Sequence, residues 1–179
     1  MTQTARVYGG SLYDLAVEEN MTDEMLRESE EIRKIFWENP DYLHLLSEPV
    51  LAKEERIGLI EEAFGSSASR YMVNFLKILC ERNILNEYSG CVSEFVRRYN
   101  ADHNIAEAVV VTAAKLGDDQ MNALKEKLEA QFGKKIYLSQ RLDAGVIGGL
   151  KVELEDMELD GTVKGRLTGI QNKLNNIMM

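Results

Sequence analysis

Over the first hundred positions, apolar residues recur at intervals of three and four, and polar punctuation cuts the pattern into short lengths. In TARVYGGSLYDLAVEEN the residues Ala5, Tyr8, Leu12, Leu15 and Ala16 predict a first helix. Gly9, Gly10 and Ser11 are poor helix formers, at about 1 kcal/mol per Gly relative to Ala. Such small residues would leave a shallow trough for another helix. Thr22, followed by acids, predicts the cap of a second helix with Met25, Ile32 and Phe36 on one face. Pro40 opens a third helix that must stop before Pro49. LAKEERIGLIEEAFG is a fourth, closed by Gly65. SASRYMVNFLKILCERN is a fifth, with Tyr71, Phe75, Ile78, Leu79 and Arg82 on one side. Tyr88, Val92, Phe95 and Tyr99 mark a sixth.

The period changes after His103. IAEAVVVTAA alternates and is β-branched, so it predicts a strand. DDQMNALKEKLEAQFG predicts a helix with Met121, Leu124 and Leu128 inward and Gly133 as its stop. KIYLSQRL alternates again. In GLKVELED, Leu150, Val152 and Leu154 face in while Lys151, Glu153 and Glu155 face out. MELD is a candidate further strand, Asp160-Gly161 a turn, and Thr162 a candidate cap. Val163, Leu167, Ile170, Leu174 and Ile177 then form one apolar stripe on a last helix. The expected fold is α+β: an N-terminal six-helix bundle, residues 1–105, followed by a small β-α-β-β-α domain, residues 106–179.

Charge supports that division. Up to Ile105 there are 11 basic and 19 acidic residues; beyond it there are 10 and 11. The helical region is therefore strongly acidic and the second nearly balanced. The overall charge of −9 argues against nucleic acid as a partner, since phosphate binding draws on clustered Lys and Arg. No apolar run approaches the roughly 18 residues of a membrane span, so no direct membrane insertion is expected, and the first residues show no signal-peptide pattern.

Candidate chemistry is sparse. Cys80 and Cys91 fall within apolar helical patterns and read as buried thiols. His44 and His103 stand alone, without the paired ligands of a zinc site. The carboxylate pairs Glu30-Glu31, Glu54-Glu55, Glu61-Glu62 and Asp118-Asp119 lie on polar faces or at helix starts, where solvation and the helix dipole explain them. Ser11, Ser67 and Ser89 lack a nucleophile-elbow context. The segment LDAGVIGGLKVELEDMELDGTVKGRL holds five of the chain's 13 glycines. It matches neither a P-loop nor a dinucleotide fingerprint, and an alternating strand follows rather than a helix start. These glycines are expected to shape backbone, with Gly148 and Gly149 forming a bulge or close approach in the second strand. No catalytic, cofactor or metal site is expected.

Three segments resemble one family. ARVYGGSLYDLA (5–16), NFLKILCERNIL (74–85) and LDAGVIGGLKVELEDMELDGTVKGRLTGI are similar, in order, to the delta subunit of F-type ATP synthase. Its mitochondrial relative is the oligomycin-sensitivity-conferring protein. Gly9 and Gly10 depart from the family's usual alanines, and Ala144 from its usual Pro or polar residue. The resemblance implies a non-catalytic stator subunit that joins the catalytic head to the peripheral stalk, so that proton-driven rotation is coupled to ATP synthesis. It implies a place at the cytoplasmic face of the bacterial cell membrane, held through the complex. It further implies that an N-terminal helix of the α subunit docks between the first and fifth helices, where Tyr8, Gly9, Leu12, Phe75, Leu79 and Asn83 would line a groove. The C-terminal ends of b-type stalk subunits would meet the second domain, for which Leu174, Ile177, Met178 and Met179 are the candidates. A free helical adaptor that binds an amphipathic helix in an unrelated complex is the alternative. A small enzyme taking a phosphorylated ligand at the glycine turn is the weaker third.

Overall fold

A computed structural model describes residues 1–47, 51–146, 148–154 and 157–162. The chain divides into two units, Met1–Tyr99 and Asn100–Met179. The predicted last helix, with its stripe from Val163 to Ile177, lies outside the described residues.

The described part of the first unit contains the helices α1 (Gln3–Glu18), α2 (Thr22–Glu38), α3 (Pro40–Ser47), α4 (Lys53–Phe64) and α5 (Arg70–Glu81). A short 3-10 turn, Leu85–Glu87, leads into α6 (Tyr88–Asp102), which runs on into the second unit. Local chemistry explains most ends. Thr2 caps α1 by accepting from the Ala5 N–H at 3.1 Å, and Ser69 caps α5 by accepting from Met72. The Glu55 carboxylate at the start of α4 accepts from the Ala52 N–H at 3.2 Å. Helices α1, α5 and α6 each end two residues before an asparagine with φ of 55–57°. Asn tolerates this left-handed conformation, and after α1 and α5 the following N–H turns back to a carbonyl of the last turn: Met21 to Ala16 and Ile84 to Leu79. One expected cap differs. Met21, not Thr22, occupies the cap position of α2 and makes no side-chain bond, so α2 relies on Asp23 and Glu24 near its N-terminal dipole.

The helical core is built around Tyr88. Its ring meets Phe36 edge-on at 5.3 Å and lies 6.4 Å from Phe75, and its hydroxyl donates to the Ser29 carbonyl at 3.1 Å. Burying a phenol in this way requires a polar partner, which Ser29 supplies. The face of α5 differs from the expected one. Met72, Val73, Phe75, Leu76, Leu79 and Cys80 are buried, whereas Ile78 and Arg82 are exposed. Every apolar residue of a helix cannot face inward at once; the stripe 72-73-76-79-80 is wholly apolar and turns inward with Phe75 at its edge, whereas the 71-75-78-82 row carries the charged Arg82 and leaves Ile78 outside.

The described part of the second unit consists of β1 (Ile105–Thr112), α7 (Asp118–Phe132), β2 (Lys135–Leu142), β3 (Leu150–Leu154) and β4 (Met157–Asp160). MELD is indeed a strand. The sheet order is β2-β1-β3-β4, with β1 and β2 parallel and the other pairs antiparallel. Parallel neighbours need a crossover, and α7 provides it. Gly133 ends α7 at φ 64°, and the chain enters β2 two residues later. One face of the sheet forms a core of Ala106, Ala108, Val110, Ile136, Val152 and Leu154 with Leu128, against which Met121 and Leu124 also pack. The other face carries a chain of ion pairs: Arg141 to Glu153 at 2.9 Å, Lys151 to Glu153 at 3.2 Å, and Lys151 to Glu158 at 2.9 Å.

The glycine segment shapes backbone. It links β2 to β3, which flank β1 rather than each other, so it passes the end of the central strand. The Asp143 N–H donates to Thr112 at the end of β1. Gly148 and Gly149 precede β3 instead of lying within it. At Gly149 φ is 83°, and a β-carbon there would stand 2.5 Å from the Gly161 carbonyl oxygen. The conformation and the contact both require glycine.

Candidate interaction surfaces

Helices α1 and α6 run side by side in the same direction. Successive contacts join Thr2 to Glu87, Ala5 to Gly90, Gly9 to Cys91, Tyr13 to Phe95 and Asp14 to Arg98. A β-carbon on Gly9 would lie 2.9 Å from the Cys91 Cα and closer still to its carbonyl oxygen; one on Gly10 would meet the Arg98 guanidinium at 2.5 Å. The small residues of the first helix therefore admit a helix of the same chain, α6. At the far end of the seam sits Glu94, a fully buried carboxylate. It accepts from Arg97 at 2.7 and 2.9 Å and from Arg98 Nε at 3.0 Å, and Arg98 reaches on to Asp14 at 2.9 Å. The hydrogen bond from Arg97, opposed by burial and reinforced by Arg98, holds Glu94 below the usual carboxylate range. Burial pushes the Cys91 thiol up to about 11, which leaves it an inert packing group at neutral pH.

The residues singled out for a partner helix are placed as follows. Leu12, Phe75 and Leu79 are buried in the helical core, and Tyr8 is half-buried against it. Gly9 is buried against Cys91. Asn83 is exposed, and its side-chain oxygen accepts from Arg56 at 2.9 Å. Arg56, only 5% exposed, also donates to the Leu46 carbonyl near the C-terminus of α3 at 3.1 Å. A cation there complements the negative end of the helix. The most exposed large apolar side chains of α1 and α5 are other residues, Val7 at 57%, Val17 at 48% and Ile78 at 45%. Of the stalk candidates, Leu174, Ile177, Met178 and Met179 lie outside the described residues.

A separate cleft of about 710 Å³ lies in the helical unit, lined by Phe36, Trp37, Leu43, Leu85 and Tyr88 among others, with Glu30, Arg33 and Lys34 also lining it. Trp37 is 85% exposed. Periodicity alone missed it, although Trp37 stands one position past Phe36, off the 25-29-32-36 face, where a large aromatic must project outward.

The profile of the ATP synthase delta (OSCP) subunit family matches residues 4–174. A protein of Clostridium kluyveri, ATP synthase subunit delta, is 31% identical over 163 residues, covering 91% of this chain and 90% of the relative. One from Clostridioides difficile with the same name is 26% identical over 175 residues, covering 97% of each. Among solved structures, a chain of the Toxoplasma gondii mitochondrial ATP synthase hexamer superposes with a TM-score of 0.70 at 16% identity, covering 97% of this chain and 98% of that one, and so shares the fold.

Proposed function

The chain belongs to the ATP synthase delta (OSCP) subunit family, and from that premise we propose how its two units divide the work of a stator. As a member of the family it is a non-catalytic stator subunit of the ATP synthase, acting in ATP synthesis coupled to proton transport. The observation that carries the assignment is the extent of the match, which runs through both units rather than through one.

In our reading the helical unit holds the catalytic head through an N-terminal helix of an α subunit, and the second unit receives the C-terminal ends of b-type stalk subunits. The complex lies at the cytoplasmic face of the bacterial cell membrane. Among the described residues no helix is long and apolar enough to cross a membrane. A docked helix gains affinity from apolar surface it can bury. Val7, Tyr8 and Ile78 offer such surface on α1 and α5, while Leu12, Phe75 and Leu79 act from within by fixing the two helices. Asn83 contributes a polar edge at the end of α5. A stator part must also resist strain. The α1–α6 seam suits that task because close-packed backbone leaves little room to deform.

Membranes stripped of this chain and then resupplied with it provide the test. Without it the head should still hydrolyse ATP while proton pumping is lost, and adding the chain should restore pumping and co-sedimentation of head with stalk. Full pumping in its absence would remove it from the stator.

A further inference from the structure

The cleft of the helical unit uses neither α1 nor α5: its lining comes from α2, α3, the 3-10 turn and the first turn of α6. Its floor is apolar. Phe36, Leu85 and Tyr88 line it and are buried. Half-buried Leu43 and exposed Pro40 continue the surface along α3, and Trp37 stands beside them, almost wholly in solvent. An indole left in water next to an apolar floor gains by being covered. The volume of about 710 Å³ lies within the roughly 300–1,000 Å³ of pockets that take drug-sized ligands.

The charged groups around the cleft are already engaged. Glu30 and Arg33 pair with each other at 2.5 Å, and Lys34 pairs with Glu38 at 3.8 Å. The Tyr88 hydroxyl donates to the Ser29 carbonyl, and the Asn86 side-chain oxygen accepts from Ser47 at 2.9 Å. A charged ligand would lose hydration without meeting a free counter-ion among these groups, which is costly. An extended peptide would bring backbone N–H and C=O groups that need partners these side chains no longer offer. An uncharged ring system loses little hydration and covers the indole.

We propose that this cleft binds an uncharged, planar aromatic small molecule, held against Phe36, Leu43 and Leu85 and stacked on the Trp37 indole. Flat rings suit it because offset stacking on an indole adds attraction beyond the area covered. The site is independent of the assignments of head and stalk.

Titration of the full-length chain with N-phenylnaphthylamine, a neutral probe that brightens in apolar surroundings, tests it. One molecule per chain should bind saturably, with a Kd on the order of 0.1 mM or tighter. Emission from Trp37, the chain's only tryptophan, should fall in step. Anilinonaphthalene sulfonate, the same rings with a charge, should bind about tenfold more weakly or worse. Trp37→Ala, read by probe emission, should weaken binding by about tenfold. Val17→Ala, which trims another exposed apolar side chain of the unit, should leave it unchanged. Both side chains are exposed, so thermal melts of the two variants should match the parent. Uptake without saturation, equal affinity of Trp37→Ala and parent, or a sulfonate bound as tightly as the neutral probe would overturn the site.

Discussion

Gly9 of α1 and Cys91 of α6 meet backbone to backbone, leaving no room for a β-carbon between them. Two helices of one chain are in contact there, so the glycine serves the fold of the helical unit. Because the added β-carbon meets Cys91 backbone rather than a movable side chain, Gly9→Ala should lower unfolding free energy by about 2 kcal/mol, an overpacking penalty of about 3 less a helix-propensity gain of about 1. Gly9→Trp should prevent the unit from folding. Denaturant titration followed by far-UV circular dichroism measures both. A Gly9→Trp protein of parental stability would show that the seam can open.

Glu94 gives the seam a pH dependence of known sign. Its folded pKa lies below the ordinary 4.5, so the unfolded chain binds more protons and stability rises with pH. The contribution is complete above the unfolded value and is lost as pH falls below about 4.5 through the depressed one. Glu94→Gln should cost about 2 kcal/mol at pH 7, the loss of charge-assisted hydrogen bonds to two arginines. It should also flatten the acid limb. Urea midpoints across the acid range report this, and parallel curves for parent and variant would contradict it.

Two glycines with positive φ should respond differently to alanine. Gly133, at φ 64°, has open space around its missing β-carbon, so Gly133→Ala should cost only about 1 kcal/mol of left-handed strain. Gly149, at φ 83°, adds the collision with Gly161, so Gly149→Ala should cost roughly twice as much or more. Thermal unfolding of the two variants, monitored through the second unit by exchange of β1 and β3 amides, ranks them. Equal shifts would mean that the backbone near Gly161 yields.

The exposed apolar positions of α1 and α5, rather than the buried ones, should control binding of the head. Val7→Asp and Ile78→Asp should each weaken an α-subunit N-terminal peptide by about tenfold, the loss of one buried aliphatic contact, with the melting temperature unchanged. Calorimetric titration of the peptide gives the affinity. Unaltered affinity in both variants would move the docking surface away from these two helices.

The chain's pattern by itself determined the element order, because helical and strand periods are properties of neighbouring residues. The six N-terminal helices, the change to alternation at Ile105, the stop at Gly133 and the extra strand MELD were all legible in this way. The close approach at Gly149 was legible too, since a paired glycine entering an alternating run has few other uses. Tertiary structure alone decided which neighbour each face meets. The α1 glycines predict a shallow trough for another helix, but only the fold makes that helix α6, some eighty residues away. Ile78 shares a helical row with Phe75 and Leu79, and only the packing of α5 put one outside and the others inside. Sheet order was hidden for the same reason: β2 and β3 adjoin in sequence, yet β1 lies between them. Period and punctuation are local quantities, whereas burial depends on contacts between residues far apart in the chain.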